Sequence, residues 1–189
     1  RQLVFERQGA RYTLAYTLKP REPGSAQRRG FDGRDVLLNL MPDRFANGNP
    51  DNDNVKGMRE KANRKTLGGR HGGDIAGMRQ HLDYIHDLGF TAIWINPLLE
   101  NDMDAYSYHG YSTTDFYRVD PRFGTNEEYQ LLANESREKG VKVIMDMIVN
   151  HCGLEHWWMK DLPAEDWINT WDEYTQTNHR KTVRQDPHA

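Results

Sequence analysis

The stretch that decides the fold is VKVIMDMIVNH, residues 141–151. Residues 141–149 form an apolar run interrupted by one acid, Asp146, and such a run predicts a strand buried on both faces of a parallel sheet. The run ends on Asn150 and His151. A core strand has no use for these polar groups unless its end opens onto a site. This stretch therefore predicts a strand that positions functional side chains.

Two further apolar runs, DVLLNLMP (35–42) and TAIWINP (91–97), predict the other strands of the same sheet. A long polar loop and then a helical pattern separate each strand from the next. This order predicts right-handed βαβ units with a parallel sheet. The loops that leave the strands are much longer than those that leave the helices. In α/β folds, sites are built from loops at the carboxyl ends of strands.

Both helices between these strands have recognisable starts and stops. Asp74 is a candidate N-cap, and Gly89 is a candidate stop for the helix after it. Thr125 and Glu128 predict a capping box for a helix that runs through Lys139 to a stop at Gly140. The first helix is expected to bury one apolar stripe, made of Ile75, Met78, Leu82 and Ile85.

The two ends of the chain differ from the central α/β region. Residues 1–19 contain two alternating segments, LVFE and RYTLAYTLK, which predict a β-hairpin or the last strands of a β-domain. Residues 20–30 are rich in Pro, Gly and Arg and predict a linker. Residues 152–189 show no clear period and predict an irregular inserted subdomain. Its tryptophans are expected mainly to pack, with a sugar platform as the alternative: Trp157, Trp158, Trp167 and Trp171.

Composition excludes several functions. The 189 residues carry a net charge of −3 with acids and bases interspersed, so there is no basic surface for nucleic acid. Mean hydropathy is −0.92 and the apolar runs are strand-sized, so no transmembrane helix is expected. Cys152 is the only cysteine, which excludes an internal disulfide. The start RQLVFERQ, without an initiator Met, predicts a processed or truncated product.

The loop FANGNPDNDN, residues 45–54, is dense in the hard oxygen ligands that Ca²⁺ prefers. It does not fit an EF-hand, because Asn52 replaces the glycine and Met58 the bidentate glutamate. A solvated loop of Asx turns is the alternative. The segment GGRHGGD, residues 68–74, lacks the Lys-Ser/Thr of a phosphate-binding P-loop, which excludes nucleotide binding there.

The segment SYHGYSTTDFY, residues 107–117, places His109 and Tyr111 on either side of a glycine. An imidazole can donate hydrogen bonds to sugar hydroxyls, and a phenol ring can stack on a pyranose face. Aromatic packing beneath a loop is the alternative interpretation.

Together these segments resemble the α-amylase family of (β/α)₈-barrel glycoside hydrolases, in its neopullulanase and cyclomaltodextrinase branch. The resemblance covers roughly residues 35–151 and rests on segments that occur in the family's order: LMPDRFANGNPDND, GGRHGGDIAGM, LGFTAIWINPLLEN, YHGYSTTDFY, FGTNEEY and DMIVNH. It implies the first three strands and two helices of a TIM barrel. Residues 1–30 would end a β-sandwich domain, residues 31–151 would begin the barrel, and residues 152–189 would begin an inserted domain.

The resemblance also implies residue roles. His109 and His151 would hydrogen-bond the sugar beside the scissile bond, Tyr111 would stack on that sugar, and Asp146 would support the site. The Asn-rich loop would bind Ca²⁺, with Gly72 contributing its backbone carbonyl. The implied ligands are Asn47, Asn49, Asn52, Asp53, Gly72 and Asp74.

The implied function is retaining hydrolysis of α-1,4-glucosidic bonds in cyclodextrins, pullulan or maltooligosaccharides. In the family the nucleophile and the acid/base lie on later strands, so this chain is expected to supply sugar-binding residues without the catalytic carboxylates and to be inactive alone. Its partners would be an α-glucan and the rest of the barrel, in the periplasm or outside the cell. The alternatives are a non-catalytic amylase-like domain and a carbohydrate- or Ca²⁺-binding module.

Overall fold

The computed structural model describes residues 1–169, 172 and 173, and divides the chain into two compact units. The first unit, Arg1–Asp35, contains an antiparallel hairpin of β1 (Gln2–Arg7) and β2 (Ala10–Ala15). Gln8 and Gly9 both have positive φ, as a tight hairpin turn requires. The predicted hairpin is confirmed. The β-sandwich to which it was expected to belong stays a prediction.

The second unit begins at Val36 and is organised around a parallel sheet. Its strands are β3 (Leu37–Leu40), β4 (Ala92–Ile95) and β7 (Lys142–Met145), in the order β3-β4-β7. Both pairings are parallel. The three predicted strands and their βαβ order are therefore confirmed, in a sheet that stays open.

The helices pack their apolar stripes onto this sheet. They are α2 (Ile75–Gln80) and α3 (Leu82–Asp87) before β4, and α4 (Asn126–Glu138) before β7. The predicted capping box at Thr125 and Glu128 is present, and Gly140 follows with a φ of 74°. The core contains all the predicted stripe residues together with strand and loop side chains: Leu40, Ile75, Met78, Leu82, Ile85, Ile93, Ile95, Leu98, Val119, Phe123, Leu132 and Val141.

The single helix predicted after Asp74 is wrong in one respect, because it is broken at His81. The backbone of His81 leaves the helical region at φ −112° and ψ 14°. Its ring Nδ1 lies 2.8 Å from the carbonyl oxygen of Gly77. A side chain that competes for a helix carbonyl in this way bends or interrupts a helix.

The strands are also shorter and less covered than predicted. Leu37 is 45% exposed, so β3 is not buried on both faces as expected. β7 ends at Met145, where its pairing with Ile95 of β4 also ends. Pro97 follows closely and lacks the N–H that a longer ladder would need. Residues 146–149 therefore lie beyond the strand, and Val149 is 92% exposed.

The loops after the strands contain structure of their own. The loop after β3 begins with a one-turn helix, α1 (Pro42–Phe45). The loop after β4 contains an antiparallel pair that the sequence analysis missed, β5 (Leu99–Glu100) and β6 (Asp115–Val119). Short 3₁₀ turns occur at Ser25–Gln27, Pro50–Asn52, Ser107–His109 and Trp157–Met159.

Across the described residues, no helix has both the length and the apolar character that crossing a membrane requires.

The core position of Leu132 gives a stability prediction with an internal control. Leu132 is fully buried, whereas its neighbour Leu131 on α4 is 46% exposed. We expect Leu132→Ala to lower the free energy of unfolding by about 2–5 kcal/mol, because it leaves a cavity between α4 and the sheet. Leu131→Ala should change it by less than about 0.5 kcal/mol. Urea unfolding of both variants measures the difference, and equal effects would contradict this packing.

Candidate functional site

The carboxyl ends of β4 and β7 bring together the residues predicted to bind a sugar. Asn96 directly follows β4 and Asp146 directly follows β7. The hydroxyl of Tyr111 donates to Asp146 Oδ2 at 2.8 Å and accepts from Asn96 Nδ2 at 3.4 Å. The phenol ring of Tyr111 is therefore held at the edge of the sheet by groups from two adjacent strands.

The two predicted histidines lie against the same tyrosine. His109 and Tyr111 have ring centroids 5.8 Å apart, and His151 Nε2 lies 2.9 Å from the carbonyl oxygen of Tyr111. The structure thus brings His109, Tyr111, His151 and Asp146 together. Residues 146–151 are not part of a regular strand, because they lie beyond the end of β7.

The hydrogen bonds assign the protons of both imidazoles. The backbone N–H of Tyr111 donates to His109 Nδ1 at 2.9 Å, so neutral His109 carries its proton on Nε2. His151 Nε2 faces a carbonyl and must donate to it. Burial lowers the pKa of His109 below the ordinary imidazole value, and the nearby charge of Glu60 partly opposes this shift. His109 is therefore a neutral N–H donor suited to a hydroxyl or ether oxygen.

The phenol of Tyr111 stays protonated and half open to solvent. Burial raises its pKa, and the hydrogen bond to Asp146 and the charge of that carboxylate raise it further. Tyr111 is 38% exposed, so part of its ring is free to contact a ligand. A ring face, two imidazoles and one carboxylate at a sheet edge form a surface that can stack on a pyranose and bond its hydroxyls.

Gly110 explains how the two rings reach the sheet edge. Its φ is 81°, and a Cβ there would lie 2.1 Å from the carbonyl oxygen of Pro97. Only glycine tolerates both the left-handed backbone and this close approach. The loop between β5 and β6 is thereby seated directly on the residues that follow β4.

Asn96 is a site residue that the sequence analysis missed. Its side chain is 6% exposed, and its Oδ1 is buried without a hydrogen-bond partner among the described residues. The available signal was a polar amide at the end of the apolar run TAIWINP, where the strand ends. The amide of Asn96 contacts the Tyr111 hydroxyl, so it helps to hold the phenol ring in position.

The Asn-rich loop folds back onto the start of α2, as predicted for a metal site. The side chain of Asn47 donates to Asp53 Oδ1 at 2.7 Å. Gly72 packs so closely that a Cβ there would lie 2.3 Å from Asp53 Oδ1 and 2.8 Å from Asn47 Nδ2. Asn47, Asp53 and Gly72 therefore share one small volume.

Two amide oxygens of this loop have no partner in the described residues. Asn47 Oδ1 and Asn52 Oδ1 are buried without a hydrogen bond. A buried oxygen without a donor is unfavourable, and a hard cation is one group that satisfies it. The donor chemistry thus fits Ca²⁺. The described residues contain no cluster of three or more His, Cys, Asp or Glu suited to a metal, so any such site here needs amide and carbonyl oxygens beside the carboxylates of Asp53 and Asp74.

Asp74 holds the loop in place through four hydrogen bonds. Its Oδ1 accepts from the backbone N–H groups of Gly48 (3.0 Å) and Gly77 (2.6 Å). Its Oδ2 accepts from Asn49 N (2.9 Å) and Asn52 Nδ2 (3.3 Å). Asp74 therefore caps α2, as predicted, and would have to exchange one of these bonds to bind an ion. Asn49 Oδ1 accepts from the N–H of Asp51.

The GGRHGGD segment contacts the loop before it through both carbonyl and N–H groups. The carbonyl of Arg70 accepts from the N–H of Asn63 at 2.8 Å, and that of His71 accepts from Arg64 Nε at 2.6 Å. The backbone N–H groups of His71 and Gly72 donate to the buried carboxylate of Asp43, at 2.8–3.1 Å. This arrangement ties the segment to the start of the same loop.

The tryptophans after β7 form a packed aromatic group. The buried imidazole of His156 accepts a hydrogen bond from the backbone N–H of Trp158 at 3.0 Å, and their ring centroids are 4.4 Å apart. Trp158 packs edge-on against Trp167 at 5.0 Å. This favours the packing interpretation. Trp171 lies outside the described residues.

Comparison with known proteins identifies the family. Residues 39–189 match the family model described as "Alpha amylase, catalytic domain". A beta/alpha-amylase of Paenibacillus polymyxa is 45% identical over 114 residues, which cover 60% of this chain and 9% of that protein. A cyclomaltodextrinase of Thermoanaerobacter pseudethanolicus is 34% identical over 146 residues, which cover 72% of this chain and 24% of that protein. Other matches bear the names neopullulanase, maltogenic alpha-amylase and periplasmic alpha-amylase.

The fold matches solved amylases as well. The structure of alpha-amylase from Geobacillus thermoleovorans, complexed with acarbose, superposes with a TM-score of 0.60 at 35% identity. That match covers 79% of this chain and 31% of the amylase. The chain thus spans a tenth to a quarter of the length of the first curated relatives. With the family model covering residues 39–189, this chain belongs to the alpha-amylase catalytic-domain family.

Proposed function

We propose that this chain supplies the sugar-binding part of a retaining α-glucan hydrolase. The observation that carries the proposal is the Tyr111 hydroxyl, which is bonded to Asp146 while both predicted histidines contact the same residue. Membership of a family whose relatives are named cyclomaltodextrinase, neopullulanase and amylase points to α-1,4-glucans as substrates. Cyclodextrins, pullulan and maltooligosaccharides are the candidates.

Each residue has a proposed role in binding one glucose unit. His109 donates from Nε2 to a sugar oxygen, and Tyr111 stacks its ring on the pyranose. His151 donates to a hydroxyl, for which it exchanges its bond to the Tyr111 carbonyl. Asp146 and Asn96 hold the Tyr111 hydroxyl, so they orient the ring without contacting the sugar. Acarbose bound by the solved Geobacillus amylase is consistent with such a site.

The catalytic carboxylates are proposed to come from outside these 189 residues. A retaining glycosidase needs two carboxyl groups about 5–5.5 Å apart. Asp146 is the carboxylate in contact with Tyr111, and that contact commits it to orienting the ring. The protein would complete the site with a nucleophile and an acid/base from the rest of its barrel, in the periplasm or outside the cell.

We further propose that the Asn-rich loop holds Ca²⁺ through Asn47, Asn49, Asn52, Asp53, Asp74 and the carbonyl of Gly72. The orphaned oxygens of Asn47 and Asn52 support this proposal most directly. When bound, the ion would neutralise the carboxylates of Asp53 and Asp74 and link the loop to the start of α2. It would take no part in bond cleavage. Its effect would be to fix the loop after β3 against α2.

The sugar site predicts distinct effects of removing each ring. In the enzyme that contains this chain, Tyr111→Ala and His151→Ala should each lower kcat/KM on maltooligosaccharides by about tenfold to a hundredfold. Tyr111→Phe should lose less, because it keeps the stacking face and loses only the hydroxyl's bonds to Asp146 and Asn96. His86→Ala, on the exposed side of α3, is the control and should stay within about twofold. Full activity of Tyr111→Ala would refute the assignment.

The calcium site predicts an ion-dependent stability. Calcium at about a hundred times its Kd should add about 2.7 kcal/mol of stability, which raises Tm by several degrees relative to chelated protein. Asp53→Ala should abolish this difference, whereas Asp51→Ala, at an exposed neighbouring position, should keep it. Magnesium should not replace calcium, since it requires a smaller octahedral site. Thermal melts with EGTA, calcium and magnesium provide the measurement. A wild-type Tm that is the same with calcium and with EGTA would contradict the proposal.

If the catalytic carboxylates lie outside these residues, the isolated 189-residue chain should hydrolyse no α-glucan. The chain would lack the paired carboxyl groups that glycosyl transfer to an enzyme nucleophile requires. Release of reducing ends from maltotriose or cyclodextrin, assayed beside the complete enzyme, tests this. Turnover by the isolated chain would show that its own residues include the catalytic pair.

A further inference from the structure

Tyr106 combines a strained backbone with an exposed aromatic ring. Its φ is 59°, and apart from Gln8 in the hairpin turn it is the one non-glycine residue with positive φ in the described part of the chain. A bulky residue in this conformation is a genuine outlier, and such outliers concentrate at functional sites. Tyr106 is nevertheless 62% exposed, so burial of its ring does not explain why it is tolerated.

The ring of Tyr106 packs closely against the backbone at Gly68. A Cβ on Gly68 would come within 2.3 Å of the ring atom Cε1 and 2.7 Å of Cδ1. The next residue, Gly69, is equally closed, with Asn63 O at 2.3 Å from a would-be Cβ. A side chain at 68 would therefore displace the ring, and one at 69 would collide with Asn63. One side of the ring is supported by backbone and the other is open.

A cavity of about 380 Å³ opens beside this ring. That volume is in the range of small-molecule sites. Apart from the ring, the two glycines and Ala105, its lining is polar, with carboxylate, ammonium, amide and hydroxyl groups from Glu60, Lys61, Asn63, Thr66 and Asp104. One aromatic face surrounded by hydrogen-bonding groups is the composition that suits a sugar, since a pyranose has an apolar face and a rim of hydroxyls.

Glu60 connects this cavity to the candidate sugar site. It lines the cavity, and its Oε2 accepts the backbone N–H of Ser107 at 2.7 Å. Ser107 begins the 3₁₀ turn that ends at His109, and the charge of Glu60 is felt at the His109 imidazole. The turn is held from its other side by Arg70, which donates to the Ser107 hydroxyl at 3.2 Å. Tyr106 and His109 therefore flank one rigid turn.

We propose that this cavity is a further glucan subsite, in which Tyr106 stacks on a glucose unit that lies beyond the reach of maltotriose, on the chain whose first unit contacts His109 and Tyr111. The inference rests on the proposed function and adds a residue that selects for chain length. The strained backbone aims the ring over Gly68, and the polar groups of the lining bond the hydroxyls of this distal unit.

The experiment compares substrates of different length in the complete enzyme. The readout is the ratio of kcat/KM for maltoheptaose to that for maltotriose. Tyr106→Asn, which removes the ring and tolerates positive φ, should lower this ratio about tenfold. Tyr106→Phe keeps the stacking face and should keep the ratio within about twofold. Tyr84→Asn, at an exposed tyrosine of α3, is the matched control and should leave the ratio unchanged.

A second variant guards against a folding defect. Tyr106→Gly also removes the ring and relieves the backbone strain, so it should fold at least as well as the wild type and lower the ratio to the same extent. An unchanged ratio in Tyr106→Gly, or a loss in Tyr106→Phe as large as in Tyr106→Asn, overturns the subsite. A lowered Tm with an unchanged ratio also overturns it, because it assigns Tyr106 to loop packing. A wild-type enzyme that hydrolyses neither substrate contradicts the proposed function itself.

Discussion

The parallel register between β4 and β7 is the constraint on which the site depends. Ile95 pairs with Met145, so the next residue on each strand, Asn96 and Asp146, emerges side by side at the same edge of the sheet. Both reach the hydroxyl of Tyr111. A slip of β7 by one residue would turn the side chain of Asp146 to the opposite face. The hydrophobic pattern that fixes the register, with Ile93 and Ile95 buried, therefore also fixes the position of a polar site.

Buried carboxylates play a similar part in the loop after β3. Asp43 and Asp74 are almost fully buried, and each accepts hydrogen bonds from backbone N–H groups of residues distant in sequence. A buried charge is tolerated only when such donors satisfy it, and removing them is strongly destabilising. The loop is thus closed by electrostatics rather than by an apolar core. The two glycines at 72 and 73 let its backbone come close enough for these bonds.

Local chemistry made most of the fold predictable from the sequence. The caps at Asp74 and Thr125 and the apolar stripe of α2 and α3 follow from short-range rules, and the structure has them. The pair β5–β6 was missed because β5 is two residues long, too short for any period to show. The break at His81 depends on a ring that reaches a carbonyl, which propensity does not encode. The burial of β3 was overpredicted. An apolar sequence shows that a strand can be buried, but it does not show that another element packs over both of its faces.

The sequence predicted those site residues whose side-chain type indicates a role by itself. It did not predict those whose role depends on their position in the folded chain. The imidazole and phenol groups around Gly110 are conspicuous in sequence, but Asn96 resembles any strand-end amide until its contact with Tyr111 is seen. Tyr106 was hidden for the same reason, since its unusual property is a backbone angle. One loop, between β3 and α2, contributes both the oxygen-rich segment around Asp53 and the cavity wall at Glu60 and Gly68. The two ligands proposed for this protein, an ion and a glucan, would therefore contact the same loop.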